Sequence, residues 1–253
     1  MFTEERLEQI LHMLNKNGRV KVKELSEHFN VSEGMIRKDL QRLEGDGVLK
    51  RTYGGAILNR TLSKNSSITT RMSEHLDSKD LISKKAFDLI IDGDVIFLET
   101  SSINFLLAKL IANSNKHITL ITNMAIIPPL FSDNETAELI CIGGIYNKKH
   151  GGVFGSEVIK NISKYMFSKC FLGSCSVNLT ANCVGTMELE DGNLKETIIA
   201  NSKEVYLLVE NEKFTLDSTY RFATLQEFDA IVSDSEISDE IKHELKRLDV
   251  KLI

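Results

Sequence analysis

The sequence predicts an α/β protein in two unequal parts: a small helical module closed by a β-hairpin, then a larger domain built on a mainly parallel sheet. Three observations carry this. Apolar residues recur with helical spacing three times within the first sixty positions, apolar runs then alternate with helical stripes as far as Ile253, and a polar stretch separates the two patterns. Length agrees, because 253 residues exceed what one small domain needs, and 42% hydrophobic with 26% charged residues is an ordinary globular balance.

Leu7, Ile10, Leu11 and Leu14 follow the i, i+3, i+4, i+7 spacing of one helix face, and Asn17-Gly18 stops that helix. An extended piece around Arg19-Val20-Lys21 leads to a second helix with the stripe Val22, Leu25, Phe29, ended by Asn30. Ser32 is placed to cap a third helix, whose inward stripe is Ile36, Leu40 and Leu43 and whose end is Gly45 or Gly47. Val48 to Ile57 then reads as two short strands around a turn. Three helices and a hairpin sharing one small core make a winged helix-turn-helix over residues 1–57.

The third helix leaves Glu33, Gly34, Met35, Arg37, Lys38, Gln41 and Arg42 pointing wholly or partly outward. That supplies phosphate donors and a small N-terminal turn able to approach base edges. Ser32, Lys23 on the second helix, and Lys50, Arg51 and Tyr53 on the hairpin complete the residues expected to touch double-stranded DNA. Charge supports this locally. The chain carries −5 overall, but residues 1–60 hold 11 Lys/Arg against 9 Asp/Glu, which leaves −7 for the other 193. Between positions 37 and 60 six basic residues face three acidic ones.

Val31-Ser32-Glu33-x-x-Ile36-Arg37-Lys38-Asp39-Leu40-x-x-Leu43-Glu44 followed by Gly47-x-Leu49-x-Arg51-x-x-Gly54-Gly55-Ala56 resembles the signature of the DeoR-type bacterial repressors. Two positions depart from it: Gly34-Met35 stands where that family usually has a pair ending in Thr, and Lys38 where it usually has a second Arg. Arg and Lys differ in bidentate reach, so the second departure bears on base reading more than on phosphate contact.

Residues 58–80, rich in Ser, Thr, Asn and Lys, read as a linker. From Leu81 a helical face (Ile82, Ala86, Leu89, Ile90) and the turn Asp92-Gly93-Asp94 precede the apolar run Val95 to Leu98. Then come helix 103–111, strand 118–121, helix 125–131, strand 139–142, helix 157–165, strand 170–172, helix 189–201, strands 205–209 and 230–232, helix 239–248 and a last extended piece, 250–253. This is the pattern of a Rossmann-like domain, 81–253, whose sheet is covered on both faces. In such sheets ligands gather at the carboxyl ends of the strands. The loops there hold Glu99, Thr100, Ser101, Ser102, Asn123, Gly143, Gly144, Gly173 and Ser174, with Lys195 and Lys213 as candidate charges for an anion. Ser101, Ser102 and Asn123 serve equally well as helix caps.

The order of these elements is similar to the DeoR sensor domain, itself similar in fold to ribose-5-phosphate isomerase. Asp92-Gly93-Asp94, Thr122-Asn123, Gly143-Gly144, Phe171-Leu172-Gly173, Lys195, Glu212-Lys213-Phe214 and Asp229 to Asp234 stand at its landmarks. Glu99, Ser101, Ser102 and Ile103 replace the family's usual Asp, Gly and Thr cluster. Ser176 replaces a Gly, Asn147 stands where a basic residue is common, and Glu210 where an Asp is. The resemblance implies a regulator, in the first instance a repressor of a carbohydrate-utilisation operon relieved by a phosphorylated sugar. An activator of the same architecture, a ligand-independent DNA-binding protein and an isomerase-like enzyme using Glu99 or Asp94 as base are the alternatives. A homodimer or homotetramer is expected, because one winged module contacts too few phosphates for tight binding.

Other classes are disfavoured. No run approaches the ~20 apolar residues of a membrane span, and the stretch Met1 to Arg6 is polar where a signal peptide would be basic and then apolar, so a cytoplasmic protein is expected. Cys141, Cys170, Cys175 and Cys183 lack CxxC spacing and read as reduced core thiols, and the six histidines as structural or solvated. No metal, cofactor or catalytic residue is expected.

Overall fold

The computed structural model describes residues 2–235 and 237–253; Met1, which heads the polar N-terminal stretch, and Glu236 lie outside them. The chain divides into two compact units, Met1–Thr61 with Glu236–Glu244 and Leu62–Ser235 with Leu245–Ile253.

In the first unit the helical stripes become α1 (Thr3–Asn17), α2 (Val22–Phe29) and α3 (Glu33–Gly45), and the extended pieces become β1 (Arg19–Lys21), β2 (Leu49–Thr52) and β3 (Gly55–Leu58). Left-handed residues end the first two helices, Gly18 at φ 70° and Asn30 at φ 52°. The expected stripes form the core: Leu7, Ile10, Leu14, Val22, Leu25, Phe29, Ile36, Leu40 and Leu43 are buried together with Val20, Leu49 and Ala56. The sheet order is β1-β3-β2, antiparallel, and Thr52 pairs with Gly55 so that Tyr53-Gly54 form a two-residue turn. Both glycines are required there. Gly54 sits at φ +82°, and a Cβ on Gly55 would lie 2.1 Å from the Val20 carbonyl oxygen.

In the second unit β5 (Val95–Leu98), β6 (Thr119–Thr122), β7 (Glu138–Cys141), β10 (Phe167–Gly173), β13 (Ser202–Val209) and β16 (Ala230–Ser233) form one parallel sheet in the order β16-β13-β10-β5-β6-β7. The chain runs from β5 outward through β6 and β7, then returns to β10 on the other side of β5 and runs outward again, so the carboxyl ends of β5 and β10 are a switch point. Helices α5 (Leu76–Asp88), α6 (Ser102–Ala112), α7 (Ser156–Ile162) and α8 (Leu189–Ala200) connect the strands, and α9 (Asp239–Arg247) follows β16. Leu252 adds a parallel bridge to Ile231, so the last residues lie along the β16 edge.

Three expectations need correction. Residues 58–80 are not structureless: β4 (Thr61–Leu62), α4 (Ile68–Ser73) and the first turn of α5 lie within them. Ile68 is buried in the core of the second unit with Met72 against it, and its N–H donates to the Lys149 carbonyl at 2.7 Å. The apolar residues are few but well placed, and Lys79 is buried with its ammonium on the Arg71 and Glu74 carbonyls. The helix expected over 125–131 is only a short 3-10 turn, Pro128–Phe131, because two consecutive prolines lack the N–H groups a longer helix needs. Cys141 is exposed and not a core thiol; Cys170 is buried, and Cys175 and Cys183 are partly so.

The alternation of apolar runs also misses the antiparallel pieces. A hairpin of β8 (Ile145–Asn147) and β9 (Gly152–Phe154) follows β7. A second sheet orders β11 (Ser176–Asn178), β12 (Cys183–Thr186) and β15 (Tyr220–Ala223), and the short β14 (Leu216–Asp217) precedes β15.

Candidate functional site

Two sites emerge, one in each unit. In the first, the Ser32 hydroxyl accepts the Met35 N–H at 3.3 Å and so fixes where α3 begins. Beyond this cap Glu33, Gly34, Met35, Arg37, Lys38, Gln41 and Arg42 are all exposed, as are Lys23, Lys50, Arg51 and Tyr53. Tyr53 at the hairpin tip is 109% exposed, as far into solvent as a tyrosine goes. Arg37 pairs with Glu33 at 2.6 Å, Arg42 with Glu4 at 2.9 Å and Arg51 with Glu44 at 2.6 Å. Exposed pairs of this kind are worth ~0–1 kcal/mol, so exchanging a carboxylate for a phosphate costs little. Glu44 also accepts the Arg51 backbone N–H at 2.9 Å, which ties the hairpin to α3 and holds that carboxyl below the usual range.

Beneath this face lies a pair the sequence counted as surface charge. Arg6 of α1 donates to Asp39 of α3 at 2.6 and 3.1 Å, and both residues are only 5% exposed. The bidentate bond to Asp39 raises the Arg6 pKa despite burial, and it fixes the rotation of α3 about its own axis.

In the second unit the predicted loop residues converge unevenly. Glu99, at the end of β5, is fully buried. Its Oε1 accepts the Thr100 hydroxyl at 2.8 Å and lies 3.3 Å from the Lys195 ammonium, while its Oε2 accepts the Gly173 N–H at 3.1 Å. A Cβ on Gly173 would lie 2.8 Å from that of Ser101, so only glycine admits this approach. Lys195, 4% exposed, is held at 2.5 Å by Asp191, which also takes the Thr186 hydroxyl at 2.5 Å. Burial pushes the Glu99 carboxyl up to about 7, against the pull of Lys195 and with the push of Asp191. Burial also opposes charge on Asp191 and Lys195, but each outweighs it for the other: Asp191 titrates low and Lys195 high. One buried cation thus faces two carboxyls, and Glu99 is the one that gives way.

The remaining predicted residues have other positions. Ser101 caps α6 by accepting the Asn104 N–H at 3.0 Å, and Ser102 is buried in the first turn. Asn123 donates to the Val153 carbonyl at 3.2 Å, which folds the β8–β9 hairpin over the ends of β5 and β6. Gly144 serves packing, since a Cβ there would meet Val158 at 2.3 Å, whereas Gly143 is open. Lys213, mostly buried, is paired with Glu212 at 2.6 Å. Ser174 is half-buried, with its hydroxyl buried.

Sequence reasoning passed over Asp191, Thr186, Asn104 and His150. The Lys195–Asp191 spacing of four on a helix was the signal available for the first. Asn104 donates at 2.8 Å to the Glu99 and Phe171 carbonyls, which orients its amide. Its Oδ1, the Oδ1 of Asn123 and the Ser174 hydroxyl are buried without a partner among the described residues. His150 is buried, its ring against Phe154 and its Nε2 2.9 Å from Glu188.

Comparison with known proteins assigns both units. A family model described as DeoR-like helix-turn-helix domain matches residues 6–61, and one described as DeoR C terminal sensor domain matches residues 74–235. The chain belongs to the DeoR family. It is 32% identical to the HTH-type transcriptional repressor GlcR of Bacillus subtilis over 92% of this chain and 89% of that one. Identity is also 32% to the lactose phosphotransferase system repressor of Lactococcus lactis, over 94% and 93% of the two chains. It is 29% to the L-fucose operon activator of Haemophilus influenzae, over 97% and 98%. Among solved structures, ribose 5-phosphate isomerase A of Methanocaldococcus jannaschii superposes with a TM-score of 0.40 at 20% identity, over 57% and 56% of the chains. This DeoR-family member is a DNA-binding transcriptional regulator, with a helix-turn-helix domain as its reading module. Among the described residues no helix is long and apolar enough to cross a membrane.

Proposed function

We propose that this regulator is a cytoplasmic repressor of a carbohydrate-utilisation operon, that it binds a two-fold operator as a homodimer or homotetramer, and that a phosphorylated sugar relieves it. The observation that carries the DNA half is the capped start of α3 with Arg37 and Lys38 exposed one turn beyond it and a hairpin bearing Lys50, Arg51 and Tyr53 alongside. The effector half rests on three buried polar atoms that have no partner among the described residues, Asn104 Oδ1, Asn123 Oδ1 and Ser174 Oγ, at the carboxyl ends of β5, β6 and β10. Such atoms cost ~1–3 kcal/mol each unless something satisfies them, and that is where a ligand of an α/β sheet sits. Two of the relatives above are named as repressors, one of them of a lactose system. The L-fucose operon activator supports a second reading, activation with the same DNA chemistry. Deleting the gene separates them: target transcripts rise for a repressor and fall for an activator.

The test is fluorescence anisotropy of the purified protein on DNA from upstream of its own gene, with and without a panel of sugar phosphates. Specific binding released by one of them is the expected result; equal affinity for that DNA and for random DNA would sink the proposal.

Within it, the recognition helix and hairpin divide the work. Arg37→Ala is expected to cost roughly 1–3 kcal/mol on the operator and to relax one base position. Lys50→Ala is expected to weaken operator and random DNA alike and to lower the salt slope by about one. Equal losses on both DNAs for both variants count against this division.

A further inference from the structure

The donors that meet at the switch point are already engaged, and by the chain itself. The Gly173 N–H, the Thr100 hydroxyl and the Lys195 ammonium come from three separate segments, and all three end on the two oxygens of Glu99 at 3.1, 2.8 and 3.3 Å. A phosphate monoester or a carboxylate needs the same set: a backbone N–H, a hydroxyl and a cation around adjacent oxygens. Building on the effector-controlled reading above, we propose that Glu99 is a built-in competitor for the sensor's anion position, which an external anion occupies only where Glu99 withdraws or carries a proton.

Charge and reach both support this. Lys195 is already balanced by Asp191 at 2.5 Å, so with Glu99 ionised the buried set is net negative before any ligand arrives. A further anion within ~4 Å of that carboxylate meets a repulsion that few solvent dipoles screen. With Glu99 neutral, Asp191 and Lys195 cancel, and the Gly173 N–H is held less tightly by an uncharged carboxyl than a new anionic acceptor would hold it. The groups facing Glu99 are Lys195 and Asp191 from α8 and the Cys170 thiol from β10. His150 acts on Asp191, and Cys175 on Lys195. Burial already pushes the Glu99 carboxyl up to about 7, so neutral pH is where the competitor switches.

The experiment is calorimetric titration of the full chain with sulfate, whose charge is constant between pH 5.5 and pH 8, at fixed ionic strength. The wild type is expected to bind sulfate on the order of tenfold more tightly at pH 5.5 than at pH 8. Glu99→Gln, similar in shape, and Glu99→Ala, which removes the carboxyl altogether, are expected to bind at pH 8 as well as the wild type does at pH 5.5. In Glu99→Gln the pH dependence is expected to vanish; its persistence assigns the effect to a group other than Glu99 and overturns the proposal. Equal wild-type affinity at both pH values, or folded variants that gain nothing, also overturns it, and the wild-type comparison stands even if a variant fails to fold. Operator binding is measured separately. Sulfate gained by the variants while no sugar phosphate ever releases operator would keep the Glu99 proposal and remove the effector reading; release at pH 8, with no gain in the variants, would do the reverse.

Discussion

Asp39→Ala is expected to destabilise the N-terminal unit by about 3–5 kcal/mol and to abolish operator binding with it. The substitution leaves the Arg6 guanidinium buried with neither of its two bonds to Asp39, and an uncompensated buried charge costs that much. Typical domains hold only ~5–15 kcal/mol of net stability, so the loss is a large share of what a small unit has. Removing both charges differs from removing one. Arg6→Met with Asp39→Leu replaces the pair by apolar groups and is expected to recover most of the loss, because the desolvation of two ions disappears together with their attraction. Urea denaturation followed by circular dichroism reads the difference. If Asp39→Ala moves the midpoint no more than an exposed substitution such as Lys50→Ala does, the pair has no such role.

That pair also marks where the sequence was readable and where it was not. The stripes Leu7-Ile10-Leu14, Val22-Leu25-Phe29 and Ile36-Leu40-Leu43 became the core they predicted, because helical periodicity reports burial directly. Counting charges does not. Asp39 entered the balance of residues 37–60 as an acid on the basic face, yet it points inward to Arg6, so the exposed face is more basic than the count implied. Ion pairing between helices depends on contacts that no local window contains.

The second unit follows the same division. Each parallel strand was visible as an apolar run, whereas β8, β9, β11, β12 and β15 are only three or four residues long, below what a run can signal. The 58–80 stretch misled for the complementary reason: composition averages over Ile68, and one buried residue decides whether such a segment docks. At the switch point, the strand-end rule found Glu99, Thr100, Gly173 and Lys195. It did not foresee that they would satisfy one another, since the partners are up to 96 positions apart, from Glu99 to Lys195.

Lys195→Met is the other large effect expected, and its size depends on pH. Without the ammonium, Glu99 and Asp191 face each other in a dry interior, and at pH 8 the loss is expected to reach about 3–5 kcal/mol. At pH 5 Glu99 is protonated, one charge fewer needs Lys195, and the loss is expected to be smaller. The wild type has its own slope of known sign. Glu99 is raised from 4.5 to about 7, so the native state holds a proton that the unfolded chain has released. Its contribution is fully present below about 4.5 and is lost as pH rises through about 7, on the order of 3 kcal/mol from this group. Asp191, held low, adds the opposite dependence, stability lost only as pH falls through its depressed value, outside this window. Glu99→Gln is therefore expected to flatten the wild-type curve between pH 5 and pH 8 and to be the more stable protein at the upper end. Urea midpoints at the two pH values decide it, and a Lys195→Met penalty that is the same at both would mean that Glu99 stays ionised throughout.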